Sequence, residues 1–273
     1  MSELLSNRSL LILDATGSAA PRDMLLSCIE GNRLLILNVG GVPFEAGDED
    51  RLVSRAGLIA ADVSSSASDG LDAPLFLDSA CDFGGVSLFR RRLGETGTIL
   101  SLTQPALSLR MLDLSGRKVE AASLRKLKSL KNLEYLNVSG MQLLARDLTL
   151  EDFVPESVSK LGLSHTDVGD QEVLELIAKR KLSHLDIRGT GVTGSGVVKI
   201  VESGAVSRFN VSISTVENVL DQLSEAISRS SQAPVDIYIE LPVSRRRRFQ
   251  KLLERKGLDT KGVSTTYEMS FCE

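Results

Sequence analysis

The chain has 273 residues, of which 42% are apolar and 25% charged, and its formal net charge is −4. This length and apolar content predict one large globular domain or two small ones, and the acidic balance argues against polyanion binding by bulk charge. Three cysteines without a CxxC pair exclude a disulfide framework and a zinc-finger site, and the chain lacks Trp, which argues against a stacking platform for single-stranded nucleic acid.

The N-terminal segment has no basic stretch followed by a long apolar run, so we expect no secretory signal. No apolar run approaches the roughly 18 residues that a membrane span needs. We therefore expect a cytoplasmic protein, or one in a nuclear or other intracellular assembly, without a membrane partner. The three glycosylation sequons, at Asn7, Asn137 and Asn210, are then chance matches.

One apolar pattern recurs along the chain, as in "LEYLNVSG" (133–140), "VSKLGLSH" (158–165) and "LSHLDIRG" (182–189). Its second apolar position, here called the anchor, recurs every 24 to 26 residues, at Leu13, Leu37, Ala61, Val86, Leu112, Leu136, Leu161, Leu185 and Phe209. The positions three before, two after and seven after each anchor are also apolar, except at Ser68. Such a period predicts stacked repeats that bury one continuous core.

The pattern LxxLxLxxxxL resembles that of leucine-rich repeat proteins over about residues 10 to 216. The resemblance implies an α/β solenoid, a horseshoe with a parallel concave sheet and short helices on the convex side. The sequence departs from the family five residues after the anchor, where Ser and Thr replace the usual Asn in several repeats. Gly four residues after the anchor, as at Gly116, Gly140 and Gly189, fits a tight exit from the strand.

In chain order, we expect a strand at each anchor and helical return segments over residues 21–31, 169–181 and 215–229. The repeat that follows Ala61 is the weakest, and a loose bulge is predicted at about 64–74. After it, residues 235–241, 244–257 and 263–271 predict a strand, a helix and a strand that cap the sheet. The predicted domains are a solenoid at 1–230 and a capping region at 231–273 that continues it.

Because alternate residues of a strand face opposite ways, the positions one before, one after and three after the anchor are expected to form the outer, concave face. The first of these columns changes from apolar to basic along the chain, which favours a partner with an apolar stretch followed by an acidic one. The predicted partner-binding residues are Ile12, Ile36, Phe89, Met111, Asp113, Tyr135, Asn137, Lys160, His184, Asp186, Arg188 and Arg208.

We therefore predict a non-catalytic adaptor or scaffold subunit that binds a protein segment on this face, without a cofactor, a metal or a small-molecule substrate. On this hypothesis Met111→Ala or Tyr135→Ala weakens the complex and leaves the fold intact. An RNA-associated subunit is the alternative, using the basic C-terminal half and the run Arg245, Arg246, Arg247 and Arg248.

Two motifs suggest catalysis or cofactor binding and are set aside. "GTGVTG" (189–194) matches a dinucleotide fingerprint, but its preceding strand alternates polar and apolar residues and is not continuously apolar. A hydrolase site around His184, with Asp186 and a neighbouring Ser, is a remote alternative, because an open, wet face offers neither a pocket nor an oxyanion hole.

Overall fold

A computed structural model describes residues 12–15, 21–31, 34, 36–39, 42, 60–62, 99–100, 109–116, 118–119, 121–143, 148–229, 236–240 and 263–264. The chain divides into two compact units, Met1–Val158 and Ser159–Glu273. The fold is α/β, with parallel strands and short helices in both units. None of the described helices combines the length and the apolar character needed to cross a membrane.

The first unit contains β1 (Ile12–Asp14), α1 (Arg22–Gly31), β2 (Ile36–Asn38), β3 (Ala60–Asp62), β4 (Ile99–Leu100), β5 (Met111–Asp113), β6 (Lys118–Val119), α2 (Ala121–Lys126), a 3₁₀ turn (Leu127–Ser129), β7 (Tyr135–Asn137) and α3 (Leu150–Phe153). Its main strands pair in parallel in the order β1-β2-β3-β5-β7. The register aligns the anchors Leu13, Leu37, Ala61, Leu112 and Leu136.

One pairing departs from the predicted repeat. The spacing predicts a strand around Val86 between those of Ala61 and Leu112, but β3 pairs directly with β5, with Ala61 opposite Leu112. The expected strand at Val86 is therefore not stacked between those of Ala61 and Leu112. Residues around Val86 and the predicted bulge at 64–74 lie outside the described residues.

The second unit contains β8 (Lys160–Gly162), α4 (Asp170–Lys179), β9 (Leu182–Asp186), α5 (Gly194–Ser203), β10 (Val206–Ser212), α6 (Ile213–Val216), α7 (Leu220–Arg229), β11 (Asp236–Glu240) and β12 (Val263–Ser264). The strands pair in parallel in the order β8-β9-β10-β11-β12. The anchors Leu161, Leu185 and Phe209 align with one another and with Ile237.

The four predicted inward columns form the core. In the five repeats anchored from Leu112 to Phe209, each of their side chains is at most 4% exposed. Ile237 and Ile239 on β11 are buried in the same way. Because each buried aliphatic or aromatic side chain contributes roughly 1.5–3 kcal/mol, the repeated columns account for the choice of strand register.

Helices are found in the three segments where the sequence predicts them, 21–31, 169–181 and 215–229. α1 begins directly after Pro21, whose carbonyl accepts bonds from the N–H groups of Met24 and Leu25, the third and fourth helical residues. α4 buries Val173, Leu176 and Ile177 along one face. The single helix predicted at 215–229 is instead two, α6 and α7, because the Val219 N–H bonds to the Val216 carbonyl and tightens the chain between them.

The predicted domain boundary after residue 230 stays a prediction, because residues 230–235 and 241–262 lie outside the described residues. The predicted strands of the cap correspond to β11 and to β12, whose described part is Val263–Ser264.

Candidate functional site

Three of the described strands end in the same hydrogen-bonded turn, which is formed by the side chain directly after the anchor. Asp113, Asn137 and Asp186 each accept, through Oδ1, the N–H two residues further on, at 2.9, 3.0 and 3.1 Å. This is the local bond by which Asp and Asn favour turns. In the acidic and amide column that the sequence suggested as a partner surface, these three side chains therefore stabilise the ends of strands. The D/N-x-S pattern of Asp113–Ser115 and Asn137–Ser139 could have signalled this role, whereas Asp186 is followed by Arg188.

The position four after the anchor takes a left-handed backbone. Its φ is 68° at Gly116, 76° at Gly140 and 62° at Gly189, and His165 has the same conformation with φ 55°. In the next column, Thr166 and Thr190 donate Oγ1–H to the carbonyls of Leu163 and Ile187, both at 2.7 Å. These bonds close the turns that follow the two strands.

In the first unit the predicted partner-binding side chains are buried within the chain itself. Met111 is 2% exposed, Tyr135 1%, Asp113 0% and Asn137 1%. The Asn137 amide donates to the Asp113 carboxylate at 3.0 Å, so the polar members form a ladder from strand to strand. The expectation that these columns are exposed is wrong here. For Ile12 and Ile36 the structure gives only their paired positions on β1 and β2.

Asp186 and Arg188 are also buried, although the sequence placed both on an exposed face. Arg188 donates Nε–H to both carboxylate oxygens of Asp186, at 2.9 and 3.1 Å, and its Nη2 completes a two-pronged pair. The side chains are 4% and 0% exposed. A buried pair of this kind keeps each charge compensated, and its carboxylate is engaged by Arg188.

A basic strip remains accessible in the second unit. It consists of Lys160, His184 and Arg208, the residues directly before the anchors of three adjacent strands. Their register pairs Lys160 with His184 and His184 with Arg208, and all three side chains are half-buried. The same column continues at Asp236 on β11.

Two contacts orient Arg208 within the basic strip. Its Nη1 lies 3.0 Å from Nε2 of His184. Its guanidinium carbon lies 5.7 Å from the ring centre of Tyr238, within the range of a cation–π contact. Sequence reasoning missed Tyr238, although extending the anchor column from Phe209 to Ile237 places it directly after an anchor, paired with Asn210.

The "GTGVTG" segment has a structural role. Thr193 caps α5, and the Asp170 carboxylate of the preceding repeat accepts from the Thr193 N–H at 2.7 Å and from its Oγ1–H at 2.6 Å. A Cβ on Gly196 would lie 2.0 Å from that carboxylate, so glycine makes room for it. The Asp170 carboxylate therefore lies at the N-terminus of α5, the place where a bound dinucleotide would put its phosphate.

Two of the remaining predicted residues, His184 and Asp186, have different side-chain partners in the part of the chain that the structure describes. His184 contacts Ser183 and Arg208, whereas Asp186 pairs with Arg188. The described residues contain no group of three or more His, Cys, Asp or Glu side chains placed to hold a metal ion. Phe89 and Arg245–Arg248 lie outside the described residues.

No protein-family model matches the chain, and no curated protein does.

Proposed function

We propose that the chain is a leucine-rich repeat solenoid that acts as a non-catalytic adaptor or scaffold subunit and binds an acidic protein segment along the basic strip. The family assignment is supported by the four buried columns and by strand registers that follow the repeat. The observation that carries the function is the alignment of Lys160, His184 and Arg208 on adjacent strands, half-buried and side by side.

The dimensions of the strip suit an extended peptide. Neighbouring strands lie about 4.8 Å apart, so three strands place the ends of the strip on the order of 10 Å from each other. An extended chain advances about 3.3 Å per residue, and three residues therefore cover this length. A short segment rich in Asp or Glu that crosses the strands would offer one carboxylate near each end.

The charge balance favours local recognition over general attraction. The chain carries 36 acidic and 32 basic residues, so an acidic segment is repelled by the molecule as a whole. Binding must then come from carboxylates placed against the strip, where charge complementarity gives specificity. The apolar half of the partner predicted from the sequence has no support, because Met111 and Tyr135 are buried.

RNA is the second candidate, favoured by the same cationic side chains and by the Tyr238 ring beside Arg208. The two candidates differ in their dependence on salt. Phosphate contacts release counterions, so affinity for RNA falls steeply and linearly with the logarithm of the salt concentration. A short acidic peptide has a lower charge density than a phosphate backbone, so its affinity falls less steeply with salt.

The test is affinity capture from the native cell with three baits: the unaltered chain, a strip variant with Lys160→Ala and Arg208→Ala, and a control variant with Lys131→Ala and Lys199→Ala. The control removes two exposed charges that lie outside the strip. Each capture is repeated with ribonuclease and at low and high salt.

A defined set of proteins that survives ribonuclease, persists with the control and is lost with the strip variant supports the proposal. Partners lost after ribonuclease treatment support the RNA candidate. Partners that bind the strip variant as well as the unaltered chain contradict both.

A further inference from the structure

The contact between Arg208 and His184 has consequences for the protonation of the imidazole. An arginine side chain carries only donors, so its Nη1 can bond Nε2 of His184 at 3.0 Å only if that nitrogen has a free lone pair. Such a bond requires a neutral imidazole with its proton on Nδ1. A protonated imidazole would point an N–H at the guanidinium.

The other side of the ring agrees with this assignment. Nδ1 lies 3.2 Å from Oγ of Ser183, and that hydroxyl donates onward to the Ser159 carbonyl at 3.0 Å. Because the Ser183 proton is engaged, its oxygen is available to accept from Nδ1–H. The four groups form one directed chain from Arg208 through His184 and Ser183 to the backbone of the neighbouring strand.

We propose that His184 is a proton-controlled switch of the basic strip: protonation releases Arg208 and turns both side chains into donors for a carboxylate of the acidic segment. This inference rests on the proposed function, since it concerns regulation of the same site. At neutral pH the imidazole accepts one guanidinium donor and adds no charge. After protonation, three neighbouring cations line the strip.

The charged neighbours of His184 set the direction of the effect. Lys160 on β8 and Arg208 on β10 are its register partners, and both are cations. Asp186 on the same strand is buried and bound to Arg188, and Asp236 lies one strand beyond Arg208. An anion placed on the strip compensates the crowded cations, so its binding favours the protonated imidazole.

Linkage then gives the pH dependence. A ligand that binds the protonated form better binds more tightly as the pH falls through the range in which the imidazole titrates. One added charge pair at a half-buried site corresponds to a gain in affinity of about three- to fivefold.

The first experiment measures the tautomer without a ligand. Imidazole ¹⁵N shifts are recorded at pH 8.0 in the His165→Asn variant, which leaves His184 as the only histidine of the two in the chain. Asn is chosen because it tolerates the left-handed backbone of residue 165. A protonated Nδ1 with a bare Nε2 is expected, and the opposite tautomer would overturn the proposed switch.

The second experiment titrates rhodamine-labelled hexa-aspartate into the full chain at pH 8.0 and 6.0, at low salt. Aspartate stays ionised at both values, and pH 6.0 stays above the isoelectric point of about 5.5. The unaltered chain should bind about three- to fivefold more tightly at pH 6.0. His184→Gln, which keeps a neutral acceptor toward Arg208, should bind equally at both values, and His165→Asn should retain the gain.

The outcomes separate the two proposals. Binding that is pH-independent in the unaltered chain, or a gain that persists in His184→Gln, overturns the switch and leaves the proposed function standing. Absence of binding at either pH, with the expected tautomer present, contradicts the acidic-segment function and with it the switch.

Discussion

The side chains directly before the anchors have different surroundings in the two units. In the first unit the residues on either side of the anchor, such as Tyr135 and Asn137, are as deeply buried as the anchor itself. In the second unit Lys160, His184 and Arg208 occupy the column of Tyr135 and stay half-exposed. A repeat position therefore does not define a role: the column supplies core in one unit and a candidate binding surface in the other.

The largest expected effect comes from replacing the residue directly before an anchor by Ala, once in each unit, and comparing the two losses of stability. Tyr135→Ala should lower the free energy of unfolding by about 3–5 kcal/mol, because it empties a fully buried site. Lys160→Ala in the same column should change it by about 0.5 kcal/mol or less. Urea denaturation followed by circular dichroism measures both. Equal, small effects would show that Tyr135 is not core.

Ion pairs provide a second contrast of similar size. Asp186→Ala leaves the buried Arg188 charge without its carboxylate and should cost about 3–5 kcal/mol. In the first unit, Arg110 and Glu134 pair with side chains that are 45% and 49% exposed, so Glu134→Ala should cost about 1 kcal/mol at most. Chemical denaturation at low and high salt compares them. A cost for Asp186→Ala as small as that for Glu134→Ala would contradict the burial of the pair.

A smaller effect is expected at the turn after the strand, where Gly140 and His165 share a left-handed backbone. Gly140→Ala should lose about 1–2 kcal/mol from the backbone alone, since the added Cβ meets its nearest atoms at 3.6 Å, an ordinary contact. His165→Gly should gain up to about 1 kcal/mol by removing the same penalty. Thermal denaturation measures both, and a loss of stability in His165→Gly would show that its ring contributes more than its backbone costs.

The smallest effect concerns the helix starts, which both units cap in the same way. The Thr149 N–H donates to Asp152 at 2.8 Å, and the Gly169 N–H donates to Glu172 at 2.9 Å. The backbone N–H and the hydroxyl of Thr149 lower the pKa of Asp152 below its ordinary value of 3.8. Ionised Asp152 therefore stabilises the fold above pH 3.8, and this contribution is lost as the pH falls through the lowered pKa.

The measurement for Asp152 is the urea midpoint of the unaltered chain and of Asp152→Asn at several pH values. The unaltered chain should be slightly more stable at pH 7, and the difference should shrink below pH 4 as the carboxyl is protonated. A difference that is constant with pH would contradict the role of the ionised carboxylate.

The sequence predicted the inward-facing columns of the fold well, because burial requires apolar residues at a regular spacing that is visible in the sequence. The anchors and their three companion columns are buried in the five repeats from Leu112 to Phe209, and the strand registers follow them there. The direct pairing of β3 with β5 was not predictable, since the repeat around Val86 matches the apolar pattern as well as its neighbours do.

The outward half was predicted less well. Alternation says that Asp113 and Asp186 face away from the anchor, but it does not say whether another part of the chain covers them. Their turn-forming bonds and the pairing of Asp186 with Arg188 depend on side-chain geometry that the one-dimensional pattern does not contain. Lys160, His184 and Arg208 were recognisable as a basic column, whereas the bond between His184 and Arg208 required the register of β9 and β10.

The central claim is that the basic strip of the second unit binds an acidic segment. The most direct measurement is the affinity of rhodamine-labelled hexa-aspartate at pH 6.0 and low salt for the unaltered chain, the Lys160→Ala plus Arg208→Ala variant, and the Lys131→Ala plus Lys199→Ala control. We predict that the strip variant loses about fivefold or more in affinity and that the control binds nearly as the unaltered chain does. Equal losses in both variants would mean that only net charge matters, and the claim would be contradicted.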